Sequence, residues 1–208
     1  MKNHPADTVV VFDFETTGLS PQQGDRAIEI GAVKILDGEI IDSFSQLMNP
    51  GRRVSAFITQ YTGISNEMLA TAPSCADVMY QFARFIEDYN LVAHNASFDE
   101  KFLAAEFNRI GEPLNNLIGC SLLASRRIFQ QAPSHKLGAL IDYLAIEGDG
   151  QFHRALYDAQ MTGYLWLKIL QGIENQFGVD KPTFAQMQKL NKVVKAKVEK
   201  YFEDISIA

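Results

Sequence analysis

The sequence is poor in cysteine and contains no long apolar run. Its two cysteines, Cys75 and Cys120, lie far apart and lack the paired spacing of a disulfide framework or a cysteine zinc site. No window approaches the ~18 apolar residues of a membrane span, and the first residues lack the apolar stretch of a signal peptide. We therefore expect a protein of the reducing cytoplasm that does not interact with membranes.

Positive charge is also in deficit. The 208 residues contain 19 Lys+Arg and 25 Asp+Glu, which gives a net charge of −6 and a pI near 5.2. This balance argues against attachment to nucleic acid through bulk basic charge. A hydrophobic content of 47% and a mean hydropathy of −0.08 are typical of a soluble globular domain and exclude the disordered and fibrous classes.

Short apolar runs that alternate with turns predict an α/β chain with a mixed sheet. Thr8–Asp13 is β-branched and continuous, as in a strand buried on both faces. Ala27–Leu36 and Glu39–Met48 predict two strands joined by a hairpin at Asp37-Gly38, so the sheet should begin antiparallel. Further strands are expected at Leu91–Ala93 and Leu117–Ser121, and helices at Ser74–Tyr89, Phe98–Ile110, Leu122–Phe129, Lys136–Leu144 and Arg154–Leu170.

The first chemical signal is Asp13-Phe14-Glu15 at the end of the first predicted strand. Residues i and i+2 of a strand point to the same side, so the two carboxylates converge while Phe14 faces away. Two such carboxylates repel unless a cation lies between them. A solvated pair of acids is the alternative. Thr16-Thr-Gly18-Leu19 follows, with a glycine that allows close backbone approach and two hydroxyl groups.

The second signal is His94-Asn95-Ala-Ser97-Phe-Asp99 after a short strand. If Ser97 is the N-cap, Asp99 lies in the first helical turn, where the helix N-terminus stabilises a carboxylate. An acid that only matches the helix dipole is the alternative. We expect His94 to be a packed or hydrogen-bonded side chain and not a ligand.

The third signal is His153-Arg-Ala-Leu-Tyr-Asp158. Five residues of a continuous helix rotate by about 140°, so His153 and Asp158 could not share one helical face. His153 is therefore expected before the helix or in its first turn, as a movable proton acceptor beside a rigid carboxylate. A loop histidine next to a surface acid is the alternative.

Together these three motifs resemble the DnaQ-like family of 3′→5′ exonucleases in its histidine (DEDDh) branch, from about residue 7 to 172. The segments that carry the resemblance are Val11–Leu19, Leu91–Asp99 and His153–Asp158. At Cys120-Ser121 the exonuclease (epsilon) subunit of bacterial DNA polymerase III commonly has Asp-Thr, whereas the Cys-Ser of this chain is more similar to exodeoxyribonuclease X. The second and third motifs are also more similar to exodeoxyribonuclease X. The resemblance implies a ribonuclease H-like fold, in which helices flank three antiparallel strands continued by parallel ones.

The resemblance also implies the catalytic groups. Asp13, Glu15, Asp99 and Asp158 would bind two Mg²⁺ or Mn²⁺ ions, hard cations that prefer carboxylate oxygen. His153 would be the general base, because an unperturbed histidine titrates near working pH. The expected substrate contacts are made by Thr16, Thr17, Gly18, Leu19, Ile64 and Asn95, although for Leu19 and Ile64 a place in the core is the alternative.

The implied reaction is removal of nucleoside 5′-monophosphates from DNA 3′ ends, single-stranded or frayed. The alternatives are an exoribonuclease of the RNase T or oligoribonuclease type, a polymerase proofreading subunit, and a non-catalytic binding module. Intact motifs disfavour the last. The expected partner is a nucleic acid 3′ end, with DNA favoured over RNA.

The C-terminal part has a separate pattern. We divide the chain into an exonuclease domain at 1–172 and, at 173–208, a linker (Gly172–Pro182) and a helix. Thr183–Tyr201 predicts one amphipathic helix with six lysines and one glutamate between Lys181 and Lys200. We expect it to pack on the domain. The alternatives are a nucleic-acid patch, or a contact with a polymerase or a second copy of the chain.

Overall fold

The fold is a five-stranded mixed sheet between helices, as expected. The computed structural model describes residues 4–148 and 153–206, so the outer ends of both predicted domain ranges lie outside the described residues. The strands are β1 Val9–Thr16, β2 Ala27–Leu36, β3 Glu39–Leu47, β4 Asn90–Ala93 and β5 Ile118–Cys120. The helices are α1 Ala56–Thr62, α2 Asn66–Thr71, α3 Cys75–Ile86, α4 Ser97–Ile110, α5 Ser121–Ile128, α6 Leu137–Tyr143, α7 Ala155–Phe177, α8 Phe184–Leu190 and α9 Val198–Ser206.

The strand order is β3-β2-β1-β4-β5. The first three strands pair antiparallel, and β4 and β5 add to β1 in parallel. Asp37 and Gly38 both have positive φ, as a two-residue hairpin turn of matching twist requires. No helix in the described part of the chain is long and apolar enough to cross a membrane.

Strand β1 lies in the middle of the sheet, and its alternate residues contact different helices. Val9 and Val11 pack with α7 in one core layer, whereas Phe12 and Phe14 pack with α3 and α4 in the other. Asp13 and Glu15 continue the row of Val9 and Val11 because side chains alternate along a strand. The two carboxylates therefore lie on the α7 side of the sheet, and the two phenylalanines face away from them.

Helix α7 approaches the sheet closely at its first turn. Gly31 of β2 pairs with Asp13 of β1, and a Cβ at Gly31 would overlap the backbone of Ala155 and Leu156. Only glycine allows this contact, which places the start of α7 beside the carboxylates of β1.

Helix boundaries differ from the prediction at two places. Ser97 is the first residue of α4 and Ala96 is the N-cap, because Asn95 has a φ of 67° and turns the chain one residue earlier. The segment predicted as a linker from Gly172 continues α7 to Phe177. Gly172 is buried against Ile128 and Phe129, and the helix ends at Gly178 in the left-handed conformation.

The single amphipathic helix predicted at Thr183–Tyr201 is wrong. Thr183 does begin a helix with a complete capping box, but α8 ends at Leu190, and a turn precedes α9. Val194, which belonged to the predicted stripe, is 60% exposed. The break allows both short helices to bury their apolar side chains in the core around Trp166; these are Phe184, Met187, Leu190, Val198 and Phe202.

Candidate active site

Three acids converge where β1 ends beside α7. Carboxylate oxygens of Asp13, Glu15 and Asp158 all lie within 4.8 Å of one another. The donors are all oxygen, and Glu15 and Asp158 are buried, a set that matches the preference of Mg²⁺ and Mn²⁺ for carboxylates. The residues therefore fit a divalent cation.

Asp99 approaches the same place from the opposite layer. It lies in the first turn of α4, is buried, and its Oδ1 accepts a hydrogen bond of 3.2 Å from the Phe14 backbone N–H. This contact fixes the carboxylate against the strand segment that carries Asp13 and Glu15. The structure thus brings together all four acids predicted from the sequence.

Burial raises the pKa values of these acids, and neighbouring negative charges add to the rise for Asp13, Glu15 and Asp158. Burial, the largest cause, and the charges of Asp99, Asp158 and Glu15 raise the pKa of Asp13 well above its usual value. Burial first, then the charges of Asp158, Glu29 and Asp99, raises the pKa of Glu15 to about 8. Burial also raises the pKa of Asp99 to about 7 and that of Asp158 to about 6. A bound cation reverses this tendency because it favours the ionised form of each acid.

A fifth carboxylate, which sequence reasoning missed, anchors the start of α7. Glu29 of β2 lies opposite Glu15 and is buried. The Arg154 guanidinium donates to it with Nε and Nη2, the shortest distance being 2.7 Å, and the Ala155 N–H donates at 3.0 Å. This charge-assisted fork holds the α7 N-terminus, and hence Asp158, against the sheet.

His153 precedes α7, as its spacing from Asp158 predicted. Its φ is 69°, and its backbone N–H donates a 2.8 Å hydrogen bond to Asp158 Oδ2. Its ring contacts the Tyr61 ring at a centroid distance of 4.0 Å, and Tyr61 stacks on Phe57 at 6.0 Å. The imidazole is therefore held beside the acids by an aromatic pair that the sequence analysis overlooked, although Phe57 and Tyr61 have the i, i+4 spacing of one helix face.

The loop after β1 forms one wall of the cleft. Leu19 is 82% exposed and projects from the core, whereas Thr16 donates a 2.6 Å hydrogen bond to the Gly18 carbonyl. Asp25 fixes the loop by accepting from the Thr17 hydroxyl and the Ser20 N–H. A Cβ at Gly18 would collide with the Asp25 carboxylate, so this glycine accommodates Asp25.

Ile64 does not reach the cleft, and its predicted contact with substrate is corrected. Its side chain is 0% exposed and packs with Ile28, Val54 and Leu69. Burial of this apolar side chain stabilises the fold, so Ile64 is a core residue. Ile58 of α1, six residues earlier in the chain, lines the cleft.

His94 is a hydrogen-bonded structural residue, as predicted. Its Nε2–H donates to the His135 carbonyl (3.0 Å), and its Nδ1 pairs with the Ser121 hydroxyl (2.9 Å). Burial lowers the pKa of His94 to about 4, so the ring stays neutral near pH 7. These bonds hold the segment that brings Lys136 to the cleft, a cation that no motif identified.

The four acids, His153 and the loop after β1 line one cleft of about 1150 Å³, which is large beside the ~300–1,000 Å³ of small-ligand pockets. Its lining includes the predicted residues Asp13, Glu15, Thr16, Thr17, Gly18, Leu19, Asn95, Asp99, His153 and Asp158. The cleft combines carboxylates, an imidazole, a lysine and apolar side chains. It can therefore bind a cation and a ligand that has both charged and apolar parts.

The raised pKa values predict how stability depends on pH in the metal-free protein. A carboxyl whose pKa is higher in the folded than in the unfolded chain stabilises the fold fully below the unfolded value, near 4. That stability is lost as pH rises through the folded values, about 6 for Asp158 and about 8 for Glu15. Thermal unfolding in EDTA should therefore show a Tm that falls between about pH 5 and about pH 8.5.

Divalent cations should remove most of this dependence, because they bind the ionised carboxylates of the folded state. The measurement is a series of melts across this pH range with EDTA or with excess Mg²⁺ or Mn²⁺. A metal-free Tm that is constant or rises over the range would contradict the assigned clustering of the acids.

The family model described as Exonuclease (RNase_T) matches residues 10–166. The chain is 44% identical over 168 residues to a PolC-type DNA polymerase III of Bacillus cereus, and 44% identical over 167 residues to that of Bacillus subtilis. These alignments cover 80% and 79% of this chain but 12% of each polymerase. The chain thus spans about one eighth of the length of these relatives.

Solved structures give the same relationship. A structure titled Exonuclease X in complex with 5′ overhanging duplex DNA has a TM-score of 0.67 and 26% identity, and the match covers 88% of this chain and 99% of that chain. The nuclease domain of 3′hExo, a DEDDh family member bound to rAMP, has a TM-score of 0.68 and 22% identity, with coverage of 79% and 92%. The second likeness shows the fold.

Proposed function

This chain belongs to the RNase_T exonuclease family and has the fold of a DEDDh 3′→5′ exonuclease, and on that premise we propose that it hydrolyses the terminal phosphodiester of DNA 3′ ends. The observation that carries the proposal is the convergence of Asp13, Glu15 and Asp158 in a cleft that also contains His153. Each turnover would release a nucleoside 5′-monophosphate and leave a new 3′-hydroxyl.

The proposed cofactor is a pair of Mg²⁺ or Mn²⁺ ions held by the four acids. When bound, such ions polarise the phosphate and lower the pKa of the attacking water. The acids would hold these ions at the place in the cleft where the terminal phosphate would bind. Asp13 belongs to the cluster of three carboxylates and also interacts electrostatically with Asp99, so it would be one of the residues that hold the ions.

His153 is the proposed general base. Its backbone bond to Asp158 and its ring contact with Tyr61 hold the imidazole at the edge of the acid cluster, in reach of a water bound there. His153 takes the proton of the attacking water as the new P–O bond forms and the bond to the 3′-oxygen breaks.

The loop after β1 is the proposed site for the last nucleotide. The exposed side chain of Leu19 can wedge against the terminal base. An apolar surface can contact any of the bases, so this contact does not depend on the nucleotide sequence of the substrate. Thr16, Thr17 and Gly18 supply the adjacent polar wall, and Asn95 lies on the other side of the cleft. This arrangement favours single-stranded or frayed ends, whose bases are free to stack.

A second candidate is proofreading for a replicative DNA polymerase. It is favoured by the 44% identity to segments of PolC-type polymerases. An exoribonuclease of the same chemistry is the remaining alternative, since recognition of the 2′-hydroxyl depends on the detailed shape of the nucleotide site. The proposed compartment is the cytoplasm. Its reducing conditions are compatible with Cys75 and Cys120, which are both free and buried.

The test is cleavage of 5′-labelled single-stranded DNA, duplex DNA and RNA by the purified protein with Mg²⁺ or Mn²⁺. Stepwise shortening from the 3′ end, fastest on single-stranded DNA, is the expected result. Faster shortening of RNA would favour the exoribonuclease, and no shortening of any substrate would refute the proposal. Co-purification with a replicative polymerase would identify the proofreading partner.

A further inference from the structure

A second concavity, the Asn95 groove, continues the cleft on the far side of Asn95. It has a volume of about 360 Å³ and lies between the start of α4, helix α5 and the end of α8. Its lining includes Asn95, Ser97, Leu123, Arg126, Asn191 and Lys192. Asn95 lines both the groove and the cleft, so a ligand longer than the cleft can pass from one to the other.

The cations of the Asn95 groove are free of the internal contacts that occupy other arginines and lysines. Within residues 4–148 and 153–206, neither Arg126 nor Lys192 takes part in an ion pair, whereas Arg26, Arg109 and Arg154 do. Both side chains are exposed. Glu100 also lines the groove, so its charged lining is positive by one unit, in contrast to the four acids of the cleft.

Specific bonds hold the C-terminal segment in this position. Arg127 donates from Nε to the Val193 carbonyl (3.0 Å), and Gln188 donates to the Ile118 carbonyl (3.1 Å). These contacts dock the segment that carries Lys192 onto α5 and β5. Lys192 is therefore kept beside Arg126, although the two residues are 66 positions apart in the chain.

Asn191 gives an independent indication of a ligand. Its side-chain oxygen is buried and has no hydrogen-bond partner in the described part of the chain. A buried polar group in this state is usually satisfied by a ligand or an ordered water. Asn191 lines the groove together with Arg126 and Lys192. Its oxygen accepts hydrogen bonds, so the group that satisfies it is a donor, such as an N–H of a base, and not a phosphate.

We infer that the Asn95 groove binds the phosphodiester backbone of the DNA strand on the 5′ side of the terminal nucleotides. The inference rests on the proposed exonuclease function, because the strand reaches the groove from a 3′ end held at the acids. The free cations pair with phosphates, Asn95 contacts the backbone at the junction, and the apolar floor formed by Leu123 and its neighbours accepts a base. The groove thus gives part of the lysine-rich C-terminal segment a role in holding substrate.

The charges predict a measurable salt dependence. Each phosphate neutralised on a single strand contributes about −0.7 to the slope of log K against log salt. Loss of two contacts should reduce the slope by about 1.4, which corresponds to about a 7-fold difference between about 50 and about 200 mM salt. A dinucleotide is too short to reach from the acids past Asn95 and should show no such change.

The test uses the double variant Arg126→Gln, Lys192→Gln and a matched control, Arg84→Gln, Lys200→Gln. The control loses the same two positive charges at exposed positions that line neither the cleft nor the groove. KM and kcat are measured on a long single-stranded DNA and on a dinucleotide across the salt range. Direct binding of a fluorescent long oligonucleotide, measured with Ca²⁺ in place of Mg²⁺, gives a readout that does not require cleavage.

For the groove variant we expect a higher KM and a shallower salt slope on long DNA, with kcat and dinucleotide cleavage unchanged. The control should behave as wild type. Equal slopes for the two variants, or an equal loss on the dinucleotide, would overturn the inference. If the wild type binds long DNA through the groove but cleaves nothing, the proposed function fails and the groove stands.

Discussion

Replacement of Asp13 by asparagine is expected to lower the rate of 3′-end hydrolysis by about 10³- to 10⁵-fold. Asp13 belongs to the cluster of three carboxylates, and the charges of Asp99, Asp158 and Glu15 all add to the rise in its pKa that burial causes. The amide keeps the shape of the side chain but donates hydrogen bonds and carries no charge, so it would be a poor ligand for a divalent cation. The rate on 5′-labelled single-stranded DNA is the measurement.

The same substitution should have the opposite effect on metal-free stability. The burial and like charges that raise the pKa of Asp13 make its ionised form unfavourable in the folded chain at neutral pH and above. The asparagine side chain removes that charge, so in EDTA at about pH 8 the variant should unfold at a higher temperature than the wild type, by about 2–4 °C for each kcal/mol gained.

Addition of a divalent cation should then stabilise the wild type more than the Asp13→Asn variant. A cation at about 100 times its Kd stabilises a folded protein by about 2.7 kcal/mol, and the asparagine variant should lose most of this gain. Asp142→Asn is the matched control, because Asp142 is exposed and belongs neither to the acid cluster nor to the lining of the cleft. Wild-type activity in Asp13→Asn, or a metal-induced stabilisation equal to that of the wild type, would contradict the assigned site.

Replacement of His153 by alanine should reduce kcat by about 10²- to 10⁴-fold, the usual contribution of a positioned general base. Metal affinity should change little. The contact of residue 153 with Asp158 is made by the backbone N–H, which alanine retains, and the three clustered carboxylates do not include the imidazole. A titration with Mn²⁺, monitored by the rise in Tm, measures metal affinity, and single-turnover cleavage measures the chemical step. The two measurements together distinguish a loss of metal binding from a loss of general-base catalysis.

A parallel loss of metal affinity and activity in His153→Ala would identify His153 as a ligand and not a base. Full activity would remove it from the mechanism. Tyr61→Leu is an informative companion, because it removes the aromatic ring against which His153 packs without changing any charged group. We expect an intermediate loss of kcat in this variant.

Local sequence patterns were sufficient for the elements that carry the acids. The run of β-branched residues before Asp13 predicted a buried strand, and the i, i+2 spacing predicted that Asp13 and Glu15 share a side. Both follow from the geometry of one strand. The five-residue interval between His153 and Asp158 likewise placed the histidine before its helix, as the structure shows.

Patterns were insufficient where the answer depended on which elements meet. Ile64 follows a motif that fits a substrate contact, but its side chain is enclosed by Ile28, Val54 and Leu69. The stripe of Thr183–Tyr201 fits one helix, but the structure has two short helices, and both bury apolar side chains in the core around Trp166. In both cases packing over long sequence distances outweighed the local preference.

The sequence by itself determined which groups are available for chemistry in this protein: four acids and a histidine in three motifs, each at a strand end or helix start. Only the tertiary structure decided how these residues are supported and extended, through Glu29 and Arg154 at the start of α7, Tyr61 against His153, and the Asn95 groove beside the cleft. Strand and helix periodicity is a property of neighbouring residues and can be read from the chain. The ion pair of Glu29 with Arg154, and the placement of Arg126 and Lys192 in one groove, arise only when distant segments pack together to bury apolar surface.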